Sequence, residues 1–186
     1  MSNKNVIIFH GTKGSPQGNW FPWLSAELLA KDYDVFMPHL PTPQNQDLET
    51  WLKISKRLPI DENTILIGHS CGATFIPHLL ASLSTPIDKA ILVSPFTGNI
   101  GIDEYDQLNA SFVDERFENL DFSSLPSKTK ELILFYGDND PYVPIDQPLQ
   151  LAKQLNVNPI CIKNGGHLNS EGGYDNFPEL LEKIHG

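Results

Sequence analysis

Short apolar runs recur along the chain at residues 6–10, 34–37, 64–68, 90–94, 132–136 and 160–162. Most are unbroken, as in Val6-Ile7-Ile8-Phe9 and Ile65-Leu66-Ile67, without the alternating polar residues that mark a sheet with one wet face. Continuous apolar strands belong to a parallel sheet covered on both sides. Between them the spacing becomes helical: residues 20–31, with Pro22 in the first turn, residues 48–58, residues 73–83 and residues 148–155. Asp146 offers a cap for the fourth helix, and Asn176 with Glu179 offers a capping box ahead of Leu180-Leu181. Pro77 falls inside the third helix, where an interior proline costs about 3 kcal/mol and predicts a kink.

Strands alternating with helices predict right-handed βαβ units. The expected class is therefore α/β, with one open, mostly parallel six-stranded sheet and helices on both faces. At 186 residues the chain is expected to form a single domain over 1–186, long enough to bury a full core. The long irregular stretch 96–130 predicts one or two short helices acting as a minimal lid.

The net charge of −10 excludes nucleic acid as a partner, since phosphate binding needs clustered Lys and Arg. Much of that charge lies between residues 96 and 127 (Asp103, Glu104, Asp106, Asp114, Glu115, Glu118 and Asp121, opposed by Arg116), which predicts a solvated surface. Cys71 and Cys161 form neither a disulfide framework nor a metal knuckle. The first strand begins a few residues after Met1 and no apolar run reaches membrane-spanning length, so the cytoplasm is expected and a membrane partner is not.

The chemistry concentrates in Gly68-His69-Ser70-Cys71-Gly72, between the third strand and the third helix. A serine flanked in this way at a strand-to-helix turn is the nucleophile elbow of α/β-hydrolases. The turn is sharp enough to demand near-absent side chains at 68 and 72, and it lifts the Ser70 hydroxyl above the sheet. A serine hydroxyl needs a base and an acid to orient that base. In this class they follow in the order Ser, Asp, His on the loops after later strands. The fifth strand ends in Gly137-Asp138-Asn139-Asp140-Pro141-Tyr142-Val143-Pro144, and the sixth in Asn164-Gly165-Gly166-His167. His167 is the preferred base, with His10 at the end of the first strand as its rival. Asp140 is preferred to Asp138, which would serve the turn. His69 is assigned to packing, and a metal centre built from His10, His69, Asp138 and His167 lacks a local ligand spacing.

An oxyanion hole needs two backbone donors: Cys71 N–H, and a second from the loop 10–15, taken as Thr12. In the strand order 2-1-3-4-5-6 the first and third strands are neighbours, and their loops flank the point where the winding reverses. Cys71 itself is read as a small buried residue. Trp20, Phe21 and Trp23 are read as the core face of the first helix, with Trp20 near enough to line the site.

Together, His10-Gly11-Thr12, Asn19-Trp20-Phe21-Pro22-Trp23-Leu24, the elbow, Asp138 to Pro144 and Gly166-His167 resemble the small serine hydrolases related to retinoblastoma-binding protein nine. The resemblance implies a compact α/β-hydrolase fold, a Ser70–Asp140–His167 triad, no cofactor and no metal. The Leu-x-Cys-x-Glu motif of pocket-protein binders is absent. The expected activity is hydrolysis of a small ester, thioester or amide through an acyl-enzyme, carboxylesterase-like by first choice. The alternative is a hydrolase-fold interaction module with little turnover.

Overall fold

The computed structural model describes residues 4–185. Six parallel strands form one sheet: β1 (Asn5–Phe9), β2 (Asp34–Phe36), β3 (Ile65–His69), β4 (Ile87–Val93), β5 (Thr129–Gly137) and β6 (Ile160–Ile162). Their order is β2-β1-β3-β4-β5-β6, and every neighbouring pair is parallel. The winding starts at β1, moves out to β2, then returns across β1 to β3. The carboxyl ends of β1 and β3 are therefore adjacent at the reversal.

The unbroken apolar runs split by parity between two cores. Ile7, Phe9, Leu66, Ala90, Leu92 and Leu134 face one side, where Trp51, Phe75, Leu79 and Leu151 cover them. Val6, Ile8, Ile65, Ile67, Ile91, Val93 and Phe135 face the other, under Phe21, Leu24, Leu28, Phe177, Leu180 and Ile184. The first side is thus roofed by α2 (Leu48–Ser55), α3 (Cys71–Ser82) and α6 (Asp146–Gln154), and the second by α1 (Phe21–Leu29) and α7 (Pro178–His185). Alternate strand residues point to opposite faces, so a continuous apolar strand is what two such layers require.

Several boundaries differ from expectation for local reasons. Helix α2 starts where the Asp47 carboxylate accepts the Thr50 N–H at 2.8 Å. Asp146 is the first residue of α6 rather than its cap. Helix α7 begins at Pro178, and the Phe177 carbonyl accepts the Leu180 and Leu181 N–H groups, so the cap position is Phe177 and not Asn176. Strand β4 stops before Ser94, which turns to φ 50°. Helix α3 runs through Pro77 to Ser82, and position 77 donates no backbone bond.

The 96–130 stretch holds two short helices, α4 (Asp103–Asn109) and α5 (Glu115–Glu118), and 3-10 turns at Ala110–Phe112 and Leu125–Lys128. Its later part is core: Phe112, Phe117, Phe122 and Leu125 are buried against the α2–α3 layer. Its acids are mostly exposed, while Asp106 and Asp114 accept backbone N–H groups at helix starts. Among the described residues no helix is long and apolar enough to cross a membrane.

Candidate active site

Ser70 sits between β3 and α3 with φ 55° and ψ −122°, a conformation unfavourable for a residue with a side chain. Such strain costs on the order of 1–3 kcal/mol and persists only where the surroundings impose it. Here the Ser70 N–H is held by Val93 O at 2.9 Å, and its carbonyl accepts the first bonds of α3, from Ala73 and Thr74. The flanking glycines are obligatory. A Cβ at Gly68 would lie 2.3 Å from Gly72 O, and one at Gly72 would lie 2.4 Å from Phe9 O. Gly11 in the loop after β1 also lies close, since a Cβ there would stand 2.9 Å from Ser70 Cβ. Backbone from 11–12 therefore passes directly over the serine.

The loops after β5 and β6 meet beside it. His167 Nδ1 donates to Asp140 Oδ2 at 2.7 Å, and both side chains are nearly buried. The other Asp140 oxygen accepts the N–H groups of Tyr142 and Val143 at 2.8 and 3.0 Å. With Nδ1 carrying the proton, the neutral ring leaves Nε2 as a lone-pair base. His167 and Ser70 line the same cavity. Among the described residues no direct hydrogen bond joins them, and such catalytic contacts often tighten only when substrate arrives.

The histidine loop is held by its main chain. Asp138 Oδ1 accepts the Asn164 N–H at 2.6 Å, and Asn139 Oδ1 accepts the Gly166 N–H at 2.7 Å. The His167 carbonyl accepts from His69 Nε2–H at 2.9 Å and from the Ser94 hydroxyl at 3.2 Å. The Trp20 indole N–H reaches Leu168 O at 3.0 Å. Asp138, expected to serve its own turn, instead bonds across to the loop after β6. Trp20 is fully buried and supports the loop instead of lining the site. His69 packs as expected, edge-on to Trp20 and Phe21, and in addition anchors His167. Burial first, and the neighbouring His167 next, push its pKa down to about 3, so it stays neutral.

His10 is fully engaged elsewhere. Its Nε2 accepts the Leu40 N–H at 3.0 Å, which leaves Nδ1–H to donate to Gly11 O at 2.9 Å. Burial lowers its pKa and keeps it neutral. Its work is to fix the loop after β1. Burial also pushes the Cys71 thiol far above its usual range, so the side chain is inert while its N–H heads α3.

The cavity measures about 330 Å³. Its floor is Gly11, Thr12, Ser70 and His167, and its walls include Phe96, Ile100, Tyr105, Asn109, Tyr142 and Val143. Helix α4 is the only helix of the 96–130 stretch that reaches it. Tyr142 packs edge-on to His167 and donates its hydroxyl to Glu171, which raises the phenol pKa to about 12. Asn109 is buried and accepts a hydrogen bond from the Thr12 hydroxyl. Sequence patterning did not indicate Ser94, Asn109, Tyr105 or Glu171, because none belongs to a periodic face or a motif. Among the described residues, no three His, Cys, Asp or Glu side chains converge to hold a metal ion.

The serine hydrolase family model matches residues 6–185. This chain belongs to the serine hydrolase family. The serine hydrolase aligns with YdeN of Bacillus subtilis at 29% identity over 97% of this chain and 94% of YdeN. Its fold superposes on the ydeN gene product with a TM-score of 0.89, at 27% identity and covering 98% and 97% of the two chains. Rat serine hydrolase RBBP9 is 24% identical over 98% of this chain and 95% of the rat protein. Mouse alpha/beta hydrolase domain-containing protein 10 matches in fold alone, with TM-score 0.74 at 16% identity, over 100% of this serine hydrolase and 90% of the mouse chain.

Proposed function

We propose that this serine hydrolase cleaves a small carboxylic ester, or a thioester or amide of similar size, through an acyl-enzyme. The observation that carries the proposal is the Asp140–His167 pair at 2.7 Å, whose imidazole lines the same cavity as the strained Ser70. Ser70 Oγ attacks the carbonyl carbon while its proton passes to His167 Nε2. Asp140 keeps the Nδ1–H in place and stabilises the imidazolium. The tetrahedral oxyanion is received by the Cys71 and Thr12 N–H groups. Breaking the bond to the leaving group returns the proton from Nε2 to its oxygen, sulfur or nitrogen. Water then repeats the sequence, with Nε2 as base, and releases the acid.

Ester cleavage is preferred within this range because the cavity is small and half-walled by aromatic and aliphatic side chains, which suits a compact acyl group. The free thiols, Cys71 and Cys161, accord with a reducing, cytoplasmic setting. The test is labelling with a fluorophosphonate, followed by burst kinetics on p-nitrophenyl acetate. Wild type labels and gives a stoichiometric burst with turnover, and Ser70→Ala does neither. Equal labelling of the two proteins removes Ser70 from the mechanism. A protein that is never acylated is a binding module on a hydrolase fold.

A further inference from the structure

The loop after β2 supplies a polar side chain that no step above uses. Gln46 is half-buried between three parts of the molecule. Its Nε2 donates to Thr12 Oγ1 at 2.8 Å and to Asn109 Oδ1 at 2.9 Å, with Leu108 O at 3.2 Å. Its Oε1 accepts the Thr42 hydroxyl at 2.5 Å, and Thr42 Oγ1 in turn accepts the Lys13 N–H at 2.7 Å. Thr12 closes the ring by donating to Asn109. One carboxamide thus joins the loop after β1 to the last residue of α4.

This ring holds the Thr12 side chain, which stands between two fixed peptide units: Gly11–Thr12, held through the Gly11 carbonyl, and Thr12–Lys13, held through the Lys13 N–H. Gly14 N–H bonds to Gly11 O at 3.0 Å, which makes Thr12 and Lys13 the centre of a turn, with Lys13 at φ 57°. The Lys13 N–H is engaged by Thr42, outside the cavity. The Thr12 N–H donates to no group among the described residues, and Thr12 lines the cavity together with Ser70, so the direction of this N–H depends on how the Thr12 side chain and the two flanking peptides are held. The same turn is tied to α4 a second time, by Lys13 Nζ to Glu104 at 2.6 Å and over the Tyr105 ring at 5.0 Å.

We infer that Gln46 is a positioning residue for the oxyanion hole, acting through Thr12 and Asn109. The inference rests on the acyl-enzyme reading above. A carboxamide is required because the site needs an acceptor for the Thr42 hydroxyl and a donor for two oxygens at once. A carboxylate of the same length satisfies only the first and sets its charge against Thr12 Oγ1 and Asn109 Oδ1.

The experiment compares wild type, Gln46→Met and Gln46→Glu for kcat and KM on p-nitrophenyl acetate, for fluorophosphonate labelling and for thermal unfolding. Expected is a roughly 10- to 100-fold fall in kcat for both variants, with KM within about twofold and an unchanged melting temperature. The ratio of Gln46→Glu to wild-type kcat should rise as the pH falls towards about 5, because a protonated carboxyl regains a donor. Unchanged kcat in both variants overturns the inference. So does a loss of rate in both that is matched by a raised KM or a lowered melting temperature. A wild type that fluorophosphonate does not label at Ser70 overturns the acyl-enzyme reading together with this one. A labelled wild type with equally fast variants overturns this one alone.

Discussion

His69 lies fully inside the protein, and its replacement by glutamine has a calculable effect on acid stability. In the folded chain its pKa is about 3, against 6.5 for an exposed imidazole, so the folded state favours the neutral ring. The stabilisation is complete above pH 6.5 and is lost as the pH falls from there towards 3, because the unfolded chain takes up a proton that the folded chain refuses. The full difference of about 3.5 units is worth about 5 kcal/mol, and about 3 kcal/mol of it is already lost near pH 4.5. Glutamine carries a terminal N–H that can still donate to His167 O but does not titrate. His69→Gln lowers stability at neutral pH through lost ring packing against Trp20 and Phe21, yet it should lose about 3 kcal/mol less than wild type between pH 7 and about pH 4.5. His10 and His78 are also buried with lowered pKa values, but they contribute equally to both proteins and cancel in the comparison. The assay is urea unfolding of both proteins at the two pH values. Parallel losses, within about 0.5 kcal/mol, would refute the claim that burial keeps this ring neutral.

Three further outcomes are expected. Asp140→Asn leaves a carbonyl for the Tyr142 and Val143 N–H groups but turns the wrong tautomer of His167 towards Ser70, so kcat should fall about 10⁴-fold in a folded protein; a fall below about tenfold in steady-state assays contradicts the role of Asp140. Gly72→Ala forces a methyl to within 2.4 Å of Phe9 O and should destabilise the chain by about 3 kcal/mol or more, read by thermal or urea unfolding; a near-native melting temperature would contradict the crowding described for the elbow. Iodoacetamide should modify exposed Cys161 without loss of hydrolase activity and leave Cys71 untouched, as peptide mapping would show; rapid modification of Cys71 contradicts its burial and raised pKa.

The elbow was legible in the sequence because its geometry allows so few residues. Positions 68 and 72 accept no side chain, so the requirement is written as glycine. The sheet was legible because strands buried on both faces must be apolar at every position, and the order of Asp140 and His167 followed from the strands that carry them. The network around these residues was not. His69 to His167 and Trp20 to Leu168 join residues 98 and 148 positions apart. Hydrogen bonds across such distances depend on loop paths and leave no periodic trace. Gln46 and Asn109 are polar residues in or next to irregular segments, where composition alone suggests solvent. The helix ends at Asp146 and Asn176 misled for a related reason: each acceptable cap stood one residue from the position that backbone geometry selected.

The hydrogen bonds that hold the main chain of the His167 loop all use its peptide groups: the amides of 164 and 166 and the carbonyls of 167 and 168. The carbonyl is common to all twenty amino acids and the N–H to all but proline. The exposed side chains at Lys163 and Ser170 can therefore drift over generations, or be rewritten by an engineer, and the imidazole will stay where it is, whereas Asn164 at φ 57° is confined to residues that tolerate left-handed backbone. Such a scaffold separates the evolution of what approaches the rim from the upkeep of the chemistry beneath it.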